Sequence, residues 1–295
     1  MAQIKLAEYT FDSTNISTNM PTLTPNTITM TTEDVVISDT VTKRIVFIDN
    51  AVMPTKIKMG GLGILEVYYL NIDSNITDMN RLFHYSGSLT YVNTEGWDTK
   101  NVTDMACMFE ATKLTTLDLS HWNTSNVKDA SFLFCNTPIK SVNLNGWDMS
   151  KVTTCRNIFA QCPNLERVDM TLSTNLSTCS SFLEMFSGCK KLKTIKGTDT
   201  WKIQNATDFE KMFYQCNSLQ NMKGLENWDV SKVTSFKNMF YSCSSLTKLD
   251  LRNWVTSSAT SFQDMFASCH NLKVIRVDNF DTSKVTGIGL NGMFS

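Results

Sequence analysis

The chain has 295 residues, 42% hydrophobic and 19% charged, which supplies a real core and excludes wholesale disorder. Its 27 Lys and Arg against 28 Asp and Glu leave a net charge of −1, which argues against a nucleic-acid protein. An odd count of nine Cys with only three His disfavours both a fully paired disulfide scaffold and histidine-based metal chemistry.

The first segment, residues 1–70, is predicted to be a small N-terminal β region. From Thr10 to Thr32, 14 of 23 residues are Ser, Thr or Asn, with Pro21 and Pro25 as breakers, which suits extended structure better than helix. Arg44–Asp49, Lys56–Met59 and Ile64–Ile72 read as strands. The opening residues carry no basic segment followed by an apolar run, so no export signal is read there. The apolar stretch Leu62–Ile72 is broken by Gly63, Glu66 and Asn71, well short of the ~20 residues of a membrane helix. A soluble chain without membrane insertion is expected.

From residue 71 onward the sequence repeats. Phe83, Phe109, Phe134, Phe159, Phe186, Phe213, Phe240 and Phe266 recur at 25 to 27 residues, each preceded by Leu, Met or Ile. Seven positions before each lies a small or β-branched residue, Ile76 or Val102 for example. Five positions earlier still stand all six tryptophans, with Thr174 and Phe280 in their place in two copies. After each Phe come alternating apolar residues such as Leu117 and Leu119, the period of a strand with one buried face. Before it, residues 102–109 show helical spacing, with Thr103 as a possible N-cap and Asp104 at the positive end. The unit reads as strand, Trp-bearing turn and one or two helical turns. It cannot bury its apolar face alone, so copies must stack on a parallel sheet. The end departs from the rule, because Met293-Phe294 comes two residues late after Val285.

The pattern Met-Phe-x-x-Cys-x-x-Leu-x-x-Leu-x-Leu-x-x-Trp-Asp-x-Ser-x-Val, nearly unbroken from Phe186 to Val233 and from Phe240 to Phe266, resembles the BspA-type leucine-rich repeat of bacterial surface and phage-encoded proteins. The resemblance covers about residues 71–295 and implies an α/β, right-handed leucine-rich-repeat solenoid of about eight repeats with a parallel sheet. It also implies a binding or adhesion role, without naming a ligand.

The recurrent polar residues have structural explanations. Cys162, Cys189, Cys216, Cys243 and Cys269 all fall three residues after the repeat Phe, where a small buried thiol can donate weakly to a backbone carbonyl. Ladder thiols point alike, so reduced and inert cysteines are expected. Asp98, Asp148, Asp229 and Asp281 suit Asx turns better than a calcium ladder. His84, His121 and His270 lie in different repeat phases with no shared neighbour, and no catalytic, metal or cofactor residue is assigned. The Phe and Met stripe is core.

What remains is the outside of the repeats. Tyr91, Thr116, Lys140, Arg167, Lys193, Asn221, Lys248 and Lys273 would form a polar, mildly basic strip on the sheet, read either as a solvated face or as a ligand site. Tyr85, Tyr214 and Tyr241 form a second variable cluster, suited to anchoring a glycan or protein or to packing between coils. The functional expectation is a non-enzymatic binding or adhesion protein, first a phage virion component. In that reading residues 1–70 attach to other virion proteins or cap the first coil, and the solenoid meets protein or glycan on a cell surface. The alternative is a bacterial surface or non-classically secreted scaffold that binds host proteins. Homo-oligomerisation is possible in either case.

Overall fold

The computed structural model describes residues 33–38, 41–48, 66–70, 72, 74 and 76–295, apart from 173–175 and 221. The expected strands at Arg44–Asp49 and Ile64–Ile72 correspond to β2 (Val41–Ile48) and β3 (Glu66–Leu70). Those expected at 56–59, and the polar segment 10–32, lie outside the described residues. β1 (Glu33–Ser38) pairs antiparallel with β2, which pairs parallel with β3. β3 pairs parallel with β4 (Tyr91–Val92), setting Glu66 against Tyr91.

Parallel pairing resumes in two further sheets. The first is β5 (Ser141–Asn143), β6 (Arg167–Asp169) and β7 (Thr194–Lys196), and the second is β8 (Lys248–Asp250) and β9 (Val274–Arg276). Each short strand buries its central residue, Val142, Val168, Ile195 or Leu249, and exposes the residue before it. That is the period-two pattern read from the sequence.

A second ladder runs without interruption where helical turns were expected. Parallel bridges join Asp78, Asp104, Asp129, Thr154, Ser181, Asp208, Ser235 and Ser261 in succession. From each of these residues the backbone makes an arc in which alternate N–H groups have different partners. Met79, Arg81, Phe83 and Tyr85 donate to the carbonyls of Asp104, Ala106, Met108 and Glu110 in the next copy, at 2.8–2.9 Å. Leu82, His84 and Ser86 donate three residues back within their own copy. The set repeats as far as Phe262, Asp264, Phe266 and Ser268, which donate to Gly289, Asn291, Met293 and Ser295.

This arc is not helix. Two residues in each copy, two before and two after the repeat Phe, take the left-handed conformation: Cys107 and Ala111, or Asn238 and Ser242. An α-helix cannot pass through such residues, and half of the amide groups it would need are committed to the neighbouring copy. The helical spacing of residues 102–109 therefore reports inward-facing positions on a flat arc. Asp104 takes the N–H of Ala106 in an Asx turn, while Thr103 Oγ1 donates to the carbonyl of Thr77, so neither is a helix cap. Among the described residues the helical content is two 3₁₀ turns, Thr198–Thr200 and Leu225–Asn227.

The core is a set of aromatic columns. Phe83, Phe109, Phe134, Phe159, Phe186, Phe213, Phe240, Phe266 and Phe294 stack face to face at 5.3–5.8 Å. The late Met293-Phe294 thus enters the column, and Gly292 holds the left-handed position that precedes each repeat Phe. Trp97, Trp122 and Trp147 stack in one run, and Trp201, Trp228, Trp254 and Phe280 in another. A third column, Phe182, Phe209, Phe236 and Phe262, was not read from the sequence. Its equivalents in the early copies are Met79, Met105, Ala130 and Cys155, which hides the recurrence.

Recurrent polar interior atoms bond from copy to copy, with the Trp97 and Trp122 indoles as exceptions. The thiols of Cys162, Cys189, Cys216, Cys243 and Cys269 donate to the carbonyls of Phe134, Phe159, Phe186, Phe213 and Phe240 at 3.0–3.1 Å. The indoles of Trp147, Trp228 and Trp254 donate to Leu119, Thr198 and Leu225 in the same way. Asp98, Asn123, Asp148, Asp229 and Asp281 each accept the N–H two residues on, as Asx turns. Buried Thr99, Thr124 and Thr256 clamp the next copy, each accepting one N–H and donating to a carbonyl.

Candidate functional site

The strand ladder breaks twice, and both breaks are built the same way. In copies that form a strand, the N–H of Leu144, Met170 or Leu251 donates to the carbonyl of Asp169, Lys196 or Arg276 in the next copy. At the first break that position is Thr94, and its buried hydroxyl, not its N–H, reaches the carbonyl of Asp118 at 2.8 Å. At the second, Gly197 takes the position, and the hydroxyl of the next residue, Thr198, reaches the carbonyl of Lys223 at 3.0 Å. The interrupted copies also carry Leu117 and Met222 where the paired ones carry Val92, Val142, Val168, Ile195, Leu249 and Ile275. Neither is β-branched, which suits a pleated ladder less well, although Leu249 keeps its place in β8, and both are only partly buried.

Each break opens a cleft. The first, about 850 Å³, is lined by Tyr91, Asn93, Glu95, Thr116, Asp118, His121 and Asn143 among others. The backbone N–H of Ser120 holds the Asp118 carboxyl below its usual range. His121 Nε2 lies 2.6 Å from the carbonyl of Thr94. By repeat register that oxygen is the partner of the Trp122 indole, and the buried Trp122 Nε1 has no hydrogen-bond partner. The second cleft, about 450 Å³, is lined by Lys223, Lys248 and Arg276 with Glu226 and Asp250. Arg252 beside Asp250 lowers that carboxyl's pKa. One cleft is therefore acidic in its carboxylates and the other has a basic excess.

The nominated strip is exposed at Tyr91, Thr116, Lys140, Arg167, Lys193, Lys248 and Lys273, while Asn221 lies outside the described residues. It is two rows rather than one. Ser141, Arg167 and Thr194 share a register row, as do Lys248 and Val274, whereas Lys140, Lys193 and Lys273 precede the paired positions. It is also less basic than read, because Lys193 pairs with Glu166 at 3.0 Å and Lys196 with Asp169 at 2.8 Å. Tyr91 and Thr116 line the first cleft, and Lys248 the second.

The three nominated tyrosines belong to the other ladder. Tyr214 and Tyr241 are half-buried and stack at 5.0 Å, which is packing between copies. Tyr85 is 63% exposed and meets the His84 ring edge-on at 4.2 Å. His84 Nε2 lies 3.1 Å from Glu110 in the next copy, a partner that the sequence reading did not name. Sequence reading also missed both clefts, for which the non-β-branched Leu117 and Met222 are a weak signal, because Leu249 is paired in β8.

A family profile described as "Mycoplasma protein of unknown function, DUF285" matches residues 70–172 and 180–295. The chain belongs to the DUF285 family. The gap in the match, residues 173–179, contains Thr174, which stands where other copies have Trp. No curated protein matches the sequence of this DUF285 chain. Among solved structures it is similar to a leucine-rich repeat protein from Bacteroides ovatus ATCC 8483, with 13% identity, a TM-score of 0.36, and coverage of 84% of this chain and 75% of that one. A leucine rich cell surface protein from Faecalibacterium prausnitzii A2-165 gives 11% identity and a TM-score of 0.22, over 83% of this chain and 94% of that one. TLR13 in its ssRNA13 complex gives 14% and 0.21, over 78% and 49%. Among the described residues no helix is long and apolar enough to cross a membrane.

Proposed function

We propose that this DUF285 chain is a non-enzymatic binding scaffold, a leucine-rich-repeat solenoid of about eight repeats that meets a protein or glycan on a cell surface. The observation that carries the reading is a contrast within the chain. Interior positions hold the same residue types copy after copy, while the exposed strand rows change from Tyr91 to Thr116, Arg167 and Lys248. A regular backbone that spends its recurring Asp, Thr and Cys on holding copies together leaves variation for recognition. The two clefts give that face concavity and opposite charge, which suits a ligand better than a uniformly solvated surface.

The family description, which names Mycoplasma, supports display by a bacterial cell over the virion placement suggested by residues 1–70. The test is to screen the purified chain on a glycan array and against solubilised host-cell surface proteins. Any hit is then measured with Lys248→Glu/Arg276→Glu and with Tyr91→Ala/Thr116→Asp. At least one cleft variant should weaken binding 10-fold or more, the scale of a lost interface anchor of about 1.4 kcal/mol. Undiminished binding by both double variants would overturn the placement. Robust turnover in a broad hydrolase screen would overturn the non-enzymatic reading.

A further inference from the structure

We propose that His84, Cys107 and Glu110 form a binding site for one divalent transition-metal ion of the zinc class, which joins two neighbouring copies of the repeat. The ligating atoms of the three side chains lie within 4.8 Å of one another, and all three residues are half-buried. Among the described residues this is the one group of three such side chains from His, Cys, Asp and Glu.

The repeat backbone assembles the group. His84 and Glu110 both follow the repeat Phe, so the ladder sets them side by side, and Tyr85 N–H donates to the Glu110 carbonyl at 2.9 Å. Cys107 and Glu110 close one turn through a 3.3 Å bond from the Glu110 N–H to the Cys107 carbonyl. Cys107 N–H is tied in turn to the carbonyl of Ser131 at 2.8 Å. The donors therefore sit on a backbone fixed before any ion arrives.

The donor set selects the ion. One imidazole nitrogen, one thiolate sulfur and one carboxylate oxygen suit zinc or cobalt, whereas magnesium and calcium want oxygen throughout. A thiolate and a carboxylate balance the charge of a divalent cation. Three protein ligands leave a fourth tetrahedral position for water. Tyr85 braces the imidazole edge-on at 4.2 Å, and the Arg81 guanidinium lies beside the sulfur as an outer partner.

Cys107 is set apart from the inert thiols. The five in the column three residues after the repeat Phe donate into the core, whereas Cys107 occupies the left-handed position two residues before Phe109. Other copies fill that position with Arg81, Phe132, Asn157, Glu184, Lys211, Asn238 and Asp264. Packing therefore does not ask for a thiol there.

The test is titration of the tag-free full-length chain with Co²⁺ and Zn²⁺. Co²⁺ should give a thiolate-to-cobalt charge-transfer band and tetrahedral visible bands, both reversed by Zn²⁺ and unaffected by Mg²⁺ or Ca²⁺. Cys107→Asn, His84→Ala and Glu110→Ala copy residues that other repeats use at these positions, so the fold survives, as circular dichroism would show. Cys107→Asn should abolish the charge-transfer band. The other two should weaken binding by at least the ~10–100-fold that loss of an outer partner costs. Absence of the band in the unmodified chain, its persistence in Cys107→Asn, or unchanged affinity in both alanine variants would overturn the site.

Discussion

Phe159 shows what a single residue contributes. It is fully buried, stacks on Phe134 and Phe186, and its carbonyl accepts the Cys189 thiol. Phe159→Ala should cost about 3–5 kcal/mol in urea unfolding, because a column of rings cannot collapse around one missing member. The thiols make a second prediction, on pH. Burial pushes Cys189, Cys216 and Cys243 well up, Cys135 to about 12 and Cys269 to about 11. These five folded thiols thus keep their protons where unfolded ones, near 8.5, lose them. Stability should be level up to about pH 8.5 and fall above it, by up to about 1.4 kcal/mol per thiol per unit until the folded pKa is reached. The urea midpoint at pH 7.5 and pH 10 measures this, and Cys216→Ala should flatten the decline. At this scale the sequence was informative about the columns and thiols, because each recurs at one position. It was silent about His84 and Glu110, whose meeting depends on copy-to-copy register, and about the third aromatic column, which Met79 and Ala130 disguise.

At the scale of elements the arc matters more than the strands. Strands of two or three residues give few bonds, whereas the arc gives four to each neighbour and satisfies its remaining amides internally. Helical and flat-arc backbones place inward residues at similar spacings, so periodicity alone could not separate them; the left-handed residues decide, and most are not glycine. The strand breaks are local choices. Leu117→Ile should add up to about 1 kcal/mol and extend the ladder across the first cleft, visible as slower amide exchange at residues 115–118. Gly224→Ala should do the reverse. Its φ is +82° and an added Cβ would lie 2.3 Å from the Asp199 Cα, so a loss of 2 kcal/mol or more is expected in the same assay. Thr124→Val keeps the shape but removes the hydroxyl that accepts the Asp148 N–H and donates to its carbonyl, for about 1–3 kcal/mol.

For the whole molecule the stacking of near-identical copies predicts modular behaviour. Deleting residues 135–159 removes one 25-residue period and rejoins equivalent positions, so the shortened chain should still fold, at a cost of one copy-to-copy interface. Broadened, non-cooperative melting in place of a shifted transition would show that the copies are not interchangeable. The repeat was legible in the sequence because it is dense, whereas the DUF285 family itself came from the profile match. The proposed binding face was legible only as a direction, since the clefts lie where the hydroxyls of Thr94 and Thr198 reach the next copy, and both look unremarkable in their copies.

The arc has a mechanical consequence. Alternate hydrogen bonds of the arc lie between copies, so a pull that separates the ends loads a few short bonds at a time, and the rest wait their turn. Each copy that yields releases about 26 residues, close to 90 Å of chain at full extension. A protein that tethers a cell under flow would then lengthen in steps while its remaining copies keep their grip.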